Sequence, residues 1–587
     1  MATVSERKRA FLSNGITAAL ELGGSIDWFP CPKFDSDPIF SAILDEKKGG
    51  AFSILPEEKN YKLESGYIPC SLAFKNVFTT DSGKLEVTDF LPLGIPGIIR
   101  IYSSSIPFIA RISPSFEFGL VNPWLEETDM GIVFKNGKAK DGLEVSIKGS
   151  YSLLPDGAIR IDKGKGYIFA LYSKDLKYGL FGKHGSVYAD PEDAYDAQIR
   201  YWEDQISQAK RVRRFREAYE ISLMVIMGLL YGPSGGIIAA PTTSLPEIIG
   251  KGRNWDYRYV WIRDAAYACE ALTNSGILSK SRRILSFMAS VIDPSSKPFN
   301  HPLYSIDGTA PRPEEILYWM EGHMKSKPVR VGNEAYMQMQ TDVEGAFMEA
   351  MYVYTFKSGD KEYLNECWWA IEAIVRWVKG SWADESVGIW EDRGKMQHFV
   401  HSKVMDWVAV DRAASLANMI GLNGKVEEWK ALAAEIRSDI MEKGFLKEAN
   451  SFTVYYGSND VDASLLTLPL YGFIDARDPR FVSTLKRIES ELSLGSEMLM
   501  RYTTDSMGKV ENPFTLLSTW LARVYVRLGE KEKAVHIIQE LINSSNDYML
   551  IGEHADLVQK VPRGNFPQLF PHAGLVQAIN VLEESKS

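Results

Sequence analysis

Phe356-Lys-Ser-Gly-Asp360 decides the fold. On either side of it, over 337–357 and 361–379, apolar residues recur with the period of about 3.6 that marks a helix buried on one side. So brief a link leaves room only for a reversal, so the two helices form an antiparallel αα-hairpin. Leu528-Gly-Glu530 repeats the arrangement between 512–528 and 531–543. The same periodicity marks 213–231, 261–275, 280–293, 401–421, 426–442, 461–471, 479–491 and 572–584. About twelve helices taken as six hairpins close into an α/α toroid whose inner ring fills the axis. No sequence repeat is clear enough to read as a solenoid.

Upstream the pattern changes. From about 14 to 185 short alternating segments, among them Ile16–Leu20, Gly24–Trp28, Leu85–Phe90 and Ile99–Tyr102, are separated by turn clusters such as Asp81-Ser-Gly83 and Pro155-Asp-Gly157. Many short strands with such punctuation predict an antiparallel sandwich rather than a parallel sheet. Near Pro191 the sequence turns charged and helical, which predicts a connecting helix. The expected plan is a β-domain over 1–190, a linker helix over 191–212 and an all-α domain over 213–587.

Composition narrows the function. The net charge of −10, with no dense Lys/Arg cluster, argues against a nucleic-acid surface. The most continuous apolar run, Ile221 to Tyr231, is too short to span a bilayer. The polar stretch Met1–Ala10 lacks the apolar core of a secretory signal, so the expected location is the cytoplasm. Cys31, Cys70, Cys269 and Cys367 are scattered without metal-ligand spacing and read as reduced thiols. The aromatic share of 12% suits a carbohydrate cleft as well as a large core.

The polar-aromatic motifs sit in the long segments between hairpins, where function concentrates. Arg253-Asn-Trp-Asp-Tyr-Arg-Tyr-Val-Trp-Ile-Arg-Asp264 packs Arg and Asp among aromatics where a helix begins. Arg263 and Asp264 together offer a fork of donors and a pair of acceptors, a clamp for vicinal sugar hydroxyls. Gly388-Ile-Trp-Glu-Asp-Arg-Gly394 sets Glu391 beside the flat face of Trp390, with Asp392 next to it. An aromatic wall disfavours ionisation, as a general acid requires. In Leu499-Met-Arg-Tyr-Thr-Thr-Asp505, Arg501 is a candidate hydroxyl donor, and Gly552-Glu-His-Ala-Asp556 supplies a second acid, Glu553. Two carboxylates, one beside an aromatic wall, are the minimum equipment for glycoside hydrolysis. His398 and His401 lack a third ligand at metal spacing, so no metal or other cofactor is expected. GxSxG, Walker A, dinucleotide-binding and paired CxxC patterns are missing.

With these motifs in view, the chain resembles glycoside hydrolase family 15. The resemblance rests on Asn14–Ala19, Gly24–Trp28, Phe34-Asp-Ser36, Asn254–Tyr259, Trp261–Asp264, Trp390-Glu391, Arg412 and Gly564-Asn-Phe-Pro-Gln568, in that order along nearly the whole chain. That family holds glucoamylases, glucodextranases and the trehalases of archaea and actinobacteria. It implies an N-terminal β-supersandwich, a linking helix and a catalytic (α/α)6 barrel. It also implies exo-acting hydrolysis of α-glucosides with inversion, releasing β-glucose. By motif match Glu391 is the general acid and Glu553 the general base. Arg263, Asp264 and Arg501 match residues that grip the terminal glucose, and Tyr257 and Trp261 match aromatics lining its pocket. Two positions depart from the family pattern: His554 follows the base where an acidic or amide residue is common, and Lys395 stands third in the acid loop.

The family leaves the glucoside open. The expected lack of an export signal and of a starch-binding domain favours a soluble intracellular sugar, so the first reading is α,α-trehalase. The alternative is an intracellular glucoamylase acting on maltodextrins. The 294–336 insertion, with Tyr304, Asp307, Trp319, Glu321 and His323, is expected to shape the leaving-group side. Inverting phosphorolysis would dispense with a base carboxylate, and a catalytically dead sugar-binding protein would not need both acids, so Glu553 argues against each.

Overall fold

The computed structural model describes residues 6–128, 131–176, 190–495 and 497–585. The part of the β-strand expectation covering 177–185 lies outside them.

Strand formation follows the alternating segments. One antiparallel sheet runs through Arg9–Ser13, Ala18–Leu22, Ser25–Pro30, Ala51–Pro56, Phe108–Ser113, Ile159–Ile161 and Tyr151–Leu153, with Pro38–Phe40 paired to the third strand. The other runs through Trp124–Thr128, Gly131–Lys135, Gly142–Lys148, Gly164–Ser173, Gly97–Ser104, Lys84–Phe90, Phe74–Thr79 and Lys62–Tyr67. Leu12, Ile26, Phe52 and Ile54 from the first sheet meet Phe78, Leu85, Val87, Ile98 and Val145 from the second in one apolar layer. The period-2 alternation thus builds a sandwich.

The helix Pro191–Ser207 leads out of it, started by Pro191 at its first position and by the Asp190 side chain, which accepts from the Glu192 amide. The helices beyond sort into two rings by how they are buried. Asn423–Lys443 buries only Val426, Trp429, Ala433, Ile436 and Ile440, one stripe at helical spacing, and Pro479–Leu492 and Lys531–Asn543 do likewise. Ile262–Asn274, by contrast, is buried from Ile262 to Thr273, as an inner helix must be.

Neighbour by neighbour the inner ring passes through Ile262–Asn274, Asp342–Ser358, Val400–Met419, Ala463–Thr467, Thr515–Leu528 and Leu569–Glu584, and returns to the first. Gly345 allows one close approach, since a Cβ there would lie 2.3 Å from the Met405 carbonyl oxygen.

Two sequence expectations change. The helix expected over 461–471 is a short 3-10 segment, Ala463–Thr467. Leu468 keeps αR angles and gives its amide to the Leu465 carbonyl, but Pro469 after it has no amide hydrogen to continue the ladder, so the leucine-rich run ends as a short 3-10 turn. The helix expected over 361–379 breaks at Cys367 into Lys361–Glu366 and Trp368–Ser381.

The two domains meet behind the Arg253–Asp264 stretch. Trp28 Nε1 donates to the Pro241 carbonyl (2.7 Å), and Arg258 Nη1 to the Ser36 carbonyl (2.6 Å). The Arg258 guanidinium lies 5.9 Å from the ring centres of Trp28 and Phe118, and pairs bidentately with buried Asp256 (2.8 and 2.7 Å). The 294–336 insertion joins the same interface. Trp319 Nε1 donates to the Phe118 carbonyl, Asp307 accepts from Lys33, the Glu321 amide donates to Asp45, and His323 bridges Glu6 and the Ile43 carbonyl. Tyr304 lies on a two-residue strand paired with Val260–Trp261. These five residues therefore fasten the insertion to the β-domain and to the back of the site segment; of the same insertion, Asn333 and Ala335 reach a chamber at the barrel mouth.

Arg258→Ala would leave Asp256 buried without its partner. Denaturant unfolding should show a loss of about 3–5 kcal/mol, as for other broken buried pairs; an unchanged midpoint would show that the pair holds nothing together.

Candidate active site

The segments that lead into the inner helices gather at one mouth of the barrel. A cavity of about 480 Å³ there is lined by Tyr257, Trp261, Arg263, Asp264, Trp390, Glu391, Arg501 and Glu553, joined by Phe514, Gln568 and Phe570. A neighbouring chamber of about 590 Å³ shares Tyr257, Trp390, Glu391 and Arg501 with it and adds Asp392, Arg253, Asn333, Gln338, Tyr502 and Asp505. The fold therefore brings eight of the nine residues singled out in the sequence to one cavity and places the ninth, Asp392, next door.

Glu391 is built on a tight turn. Its amide donates to the Gly388 carbonyl (3.1 Å), and its backbone is left-handed (φ +60°), a conformation that costs a non-glycine residue roughly 1–3 kcal/mol and is kept where the surroundings demand it. Gln338 Nε2 holds its carbonyl (3.0 Å). Three donors converge on the carboxylate Oε1: Trp261 Nε1 (2.8 Å), Arg263 Nη2 (3.0 Å) and Gln340 Nε2 (3.1 Å). Among the described residues no donor reaches Oε2, so a proton on this carboxyl is carried there.

The aromatic wall is placed differently from expectation. Trp390 turns its indole Nε1 to Asp462 Oδ2 (2.6 Å), and its ring packs against Phe514, Tyr502 and Trp520. Burial pushes Asp462 up to about 6. The aromatic that touches Glu391 by hydrogen bond is Trp261.

Glu553 lines the same cavity, where a two-stranded ribbon, His554–Asp556 paired with Val561–Arg563, begins. Tyr257 Oη donates to its Oε1 (2.6 Å), and its carbonyl accepts from the Thr515 amide. Gly564 allows the close approach: at φ +76° it adopts a conformation that favours glycine, and a Cβ would lie 2.9 Å from Glu553 Cβ and 3.0 Å from Oε2. Burial raises the Glu553 carboxyl above its ordinary value, and nearby Glu247 adds to the effect, while His554, Arg501 and the Tyr257 hydroxyl work against it.

Arg263 and Asp264 share the clamp unequally. Arg263 spends Nη1 on Gln340 (3.1 Å) and Asp342 (3.0 Å) and Nη2 on Glu391, leaving buried Nε without a hydrogen-bond partner. Burial, Glu391 and Glu553 push Asp264 up to about 7 against the pull of Arg263. Arg501 lies over the Phe514 ring (5.2 Å) and donates through Nη2 to Glu247 (2.9 Å). Burial works against ionisation of Glu247, but Arg501, His554 and Arg253 outweigh it and hold it at about 2. Asp392 accepts from the Ser506 amide (3.3 Å) and hydroxyl, tying the acid loop to the 504–509 hairpin.

Sequence reasoning missed Gln338, Gln340, Glu247 and Asp462, lone polar residues in apolar or loop contexts that match no motif of their own; Gln568 was quoted within Gly564–Gln568 but given no role. His398 and His401 do not converge. His398 stacks on Tyr456 (5.7 Å), and His401 is buried inside the barrel, where desolvation lowers it to about 4. Among the described residues, Glu247, Glu553 and His554 are the set whose potential metal-ligating atoms lie within 4.8 Å of one another. Arg501 already answers Glu247, and Tyr257 already answers Glu553.

The chain belongs to the glycosyl hydrolases of family 15, whose family model matches residues 213–580. A second family model, described as trehalase-like, N-terminal, matches residues 1–143. Trehalase 2 of Sulfolobus acidocaldarius is 50% identical over 575 residues, covering 98% of this chain and 99% of that protein. Trehalase 1 of the same organism is 41% identical over 571 residues, covering 97% of each. The solved structure of a bacterial glucoamylase complexed with acarbose matches 99% of this chain and 94% of its own with a TM-score of 0.72 at 14% identity, which establishes a shared fold. The enzyme is thus a glycosidase with a sandwich and an (α/α)6 barrel. Among the described residues, no helix is long and apolar enough to cross a membrane.

Gly564→Ala should displace Glu553 and lower kcat by about tenfold or more, since small misplacements of a reacting group cost about 10²-fold. Steady-state assays with a circular dichroism control would check this, and a near-wild-type rate would show that the contact yields freely.

Proposed function

We propose that the enzyme hydrolyses α,α-trehalose to two molecules of glucose with inversion at the attacked carbon. One observation carries the mechanism: Glu391 and Glu553 line the same cavity, each held on one oxygen by an aromatic donor. The substrate rests on identity to trehalases across both domains, and on a second chamber that adjoins the first at Glu391, where a second glucose would sit.

Glu391, protonated on Oε2, gives its proton to the bridging oxygen as the bond to the anomeric carbon breaks. Glu553, ionised, removes a proton from a water that attacks that carbon from the opposite face. Arg501, Asp264 and Arg263 line the pocket of the attacked ring and offer donors and acceptors to its hydroxyls, and Trp390 and Phe570 offer apolar faces. Asp392 and the 504–509 hairpin border the leaving glucose. Attack inverts one ring to β, whereas the ring that departs keeps its α configuration. Early time points followed by proton NMR should therefore show α- and β-glucose in equal amounts; α-glucose alone would mean retention and overturn the base assignment. Glucose should be released from trehalose in clear preference to maltotriose, and the opposite preference would make the enzyme a glucoamylase.

Glu391→Gln and Glu553→Gln should each lose about 10² to 10⁴-fold in kcat, the usual worth of a general acid or base. A variant keeping near-wild-type turnover would remove that residue from its role.

The pH dependence has a definite sign. A raised Glu553 protonates earlier than an ordinary carboxyl as pH falls, so the base is lost sooner. The acid limb of kcat/KM should therefore lie above the ordinary carboxylate value of 4.5. A limb below that value would show that the burial of Glu553 is relieved in the working enzyme.

A further inference from the structure

His554 is wholly buried beside the base, with its ring edge-on to Phe514 (5.2 Å). Its Nδ1 lies 3.1 Å from the Pro513 carbonyl oxygen, which can only accept, so Nδ1 carries a hydrogen. Nε2 points the other way, 3.3 Å from Glu247 Oε1 and 3.9 Å from Glu553 Oε2. It is within ion-pair reach of both carboxylates and in hydrogen-bond geometry with neither. A bare lone pair this close to two carboxylate oxygens would be repelled by both.

The charge count points the same way. The ionisable side chains acting on Glu247 and Glu553, besides His554, are Tyr257, Arg253, Arg501 and Tyr502, with Asp505 paired to Arg253 and Asp264 answered by its own cation Arg263. Glu247, Glu553 and Asp505 are anions, Arg253 and Arg501 cations, and the two tyrosines neutral. With a neutral imidazole this buried group keeps one uncompensated negative charge; with an imidazolium it balances. An unpaired buried charge is among the costliest features a protein can carry.

We propose that His554 is held as an imidazolium between Glu247 and Glu553 and acts as a positioning residue that shields the base from its buried neighbour. The proposal rests on Glu553 being the base. Its function is to keep Glu553 ionised where burial and Glu247 would protonate it, so that the carboxylate is free to take the proton of the attacking water. His554 itself touches no reacting atom.

The test is a set of pH–rate profiles on trehalose. His554→Gln keeps a side chain able to donate but removes the charge. It should move the acid limb of kcat/KM to higher pH by about 1–3 units, the usual effect of one close opposite charge. Each unit is a tenfold loss of rate on the acid side of the limb. Glu247→Gln should move the limb to lower pH, because it removes the anion that opposes ionisation and leaves Arg501 unanswered. Opposite shifts from two neighbouring substitutions are not what simple loosening of the site would produce.

In the wild-type enzyme labelled with ¹⁵N-histidine, the resonances lost in His554→Gln should show both ring nitrogens protonated. Limbs that stay in place, or a ring with one unprotonated nitrogen at the pH of full activity, would overturn the proposal. Glu553→Gln separates this failure from the other: if Glu553→Gln abolishes turnover while His554→Gln leaves the limb unmoved, the base stands and only the imidazolium falls. Stoichiometric bound metal, lost together with activity in Glu247→Gln, would also overturn it, because a cation would then occupy the space assigned to the proton.

Discussion

Two aromatic hydrogen bonds hold the site together. Tyr257 and Trp261 belong to one short stretch that leads into the inner helix Ile262–Asn274, and their rings meet edge to face at 5.4 Å. The tyrosine hydroxyl reaches Glu553 and the indole nitrogen reaches Glu391, so two acids 162 positions apart (553 − 391) are referenced to residues four positions apart. Flexible carboxylates on separate loops would otherwise set their own spacing. An inverting reaction needs that spacing fixed, because the attacking water must fit between base and sugar. Tying both to one rigid element is the economical solution, since each tie also satisfies a polar atom that burial would leave unpaired.

The β-domain has a role in this. Between Tyr257 and Trp261 lies Arg258, which faces the other way, onto Ser36, Trp28 and Phe118 of the sandwich. The 294–336 insertion closes over the same seam, through Trp319 against the Phe118 carbonyl and Tyr304 behind Val260. The segment that sets the two acids is thus clamped from behind by a domain that contributes no residue to the cavity lining. This explains why Gly24–Trp28 and Phe34–Ser36, which look like ordinary sandwich strands and turns, belong with the motifs of the barrel.

How much of this was legible in the sequence follows from which signals are local. Helical periodicity and short reversals are local, and they give the αα-hairpins, because the stripe of apolar residues on Asn423–Lys443 or Pro479–Leu492 is set by the 3.6-residue repeat whatever the partner. Pro469 was equally local, and it, not the apolar period of 461–471, decides that segment. Side-chain direction is not local. Trp390 adjoins Glu391 in the chain, yet its nitrogen goes to Asp462, and Glu391 takes its aromatic neighbour from residue 261. Composition is blind in the same way: Trp319, Glu321 and His323 suit a sugar or a domain interface equally, and only the fold assigns them to the latter. Gln340 and Glu247 left no trace in the sequence because a single polar residue has no period.

The two acids end in environments that divide the labour between them. The Glu391 side chain keeps 22% of its surface exposed and has every protein donor on one oxygen, which leaves the other able to exchange its proton as each cycle ends. Glu553 keeps 5%, is raised by burial, and stands among charges of both signs. A base can tolerate such burial only if something other than solvent stabilises its negative charge, because the water it activates cannot also be the medium that solvates it. Fixed cations serve that purpose without reorganising when the proton moves. Arg501 alone cannot, because it is already engaged by Glu247. The chemistry of the base side is therefore decided by how the surrounding charges are balanced, a property set by Arg253, Arg501, Glu247 and His554 together and by none of them singly.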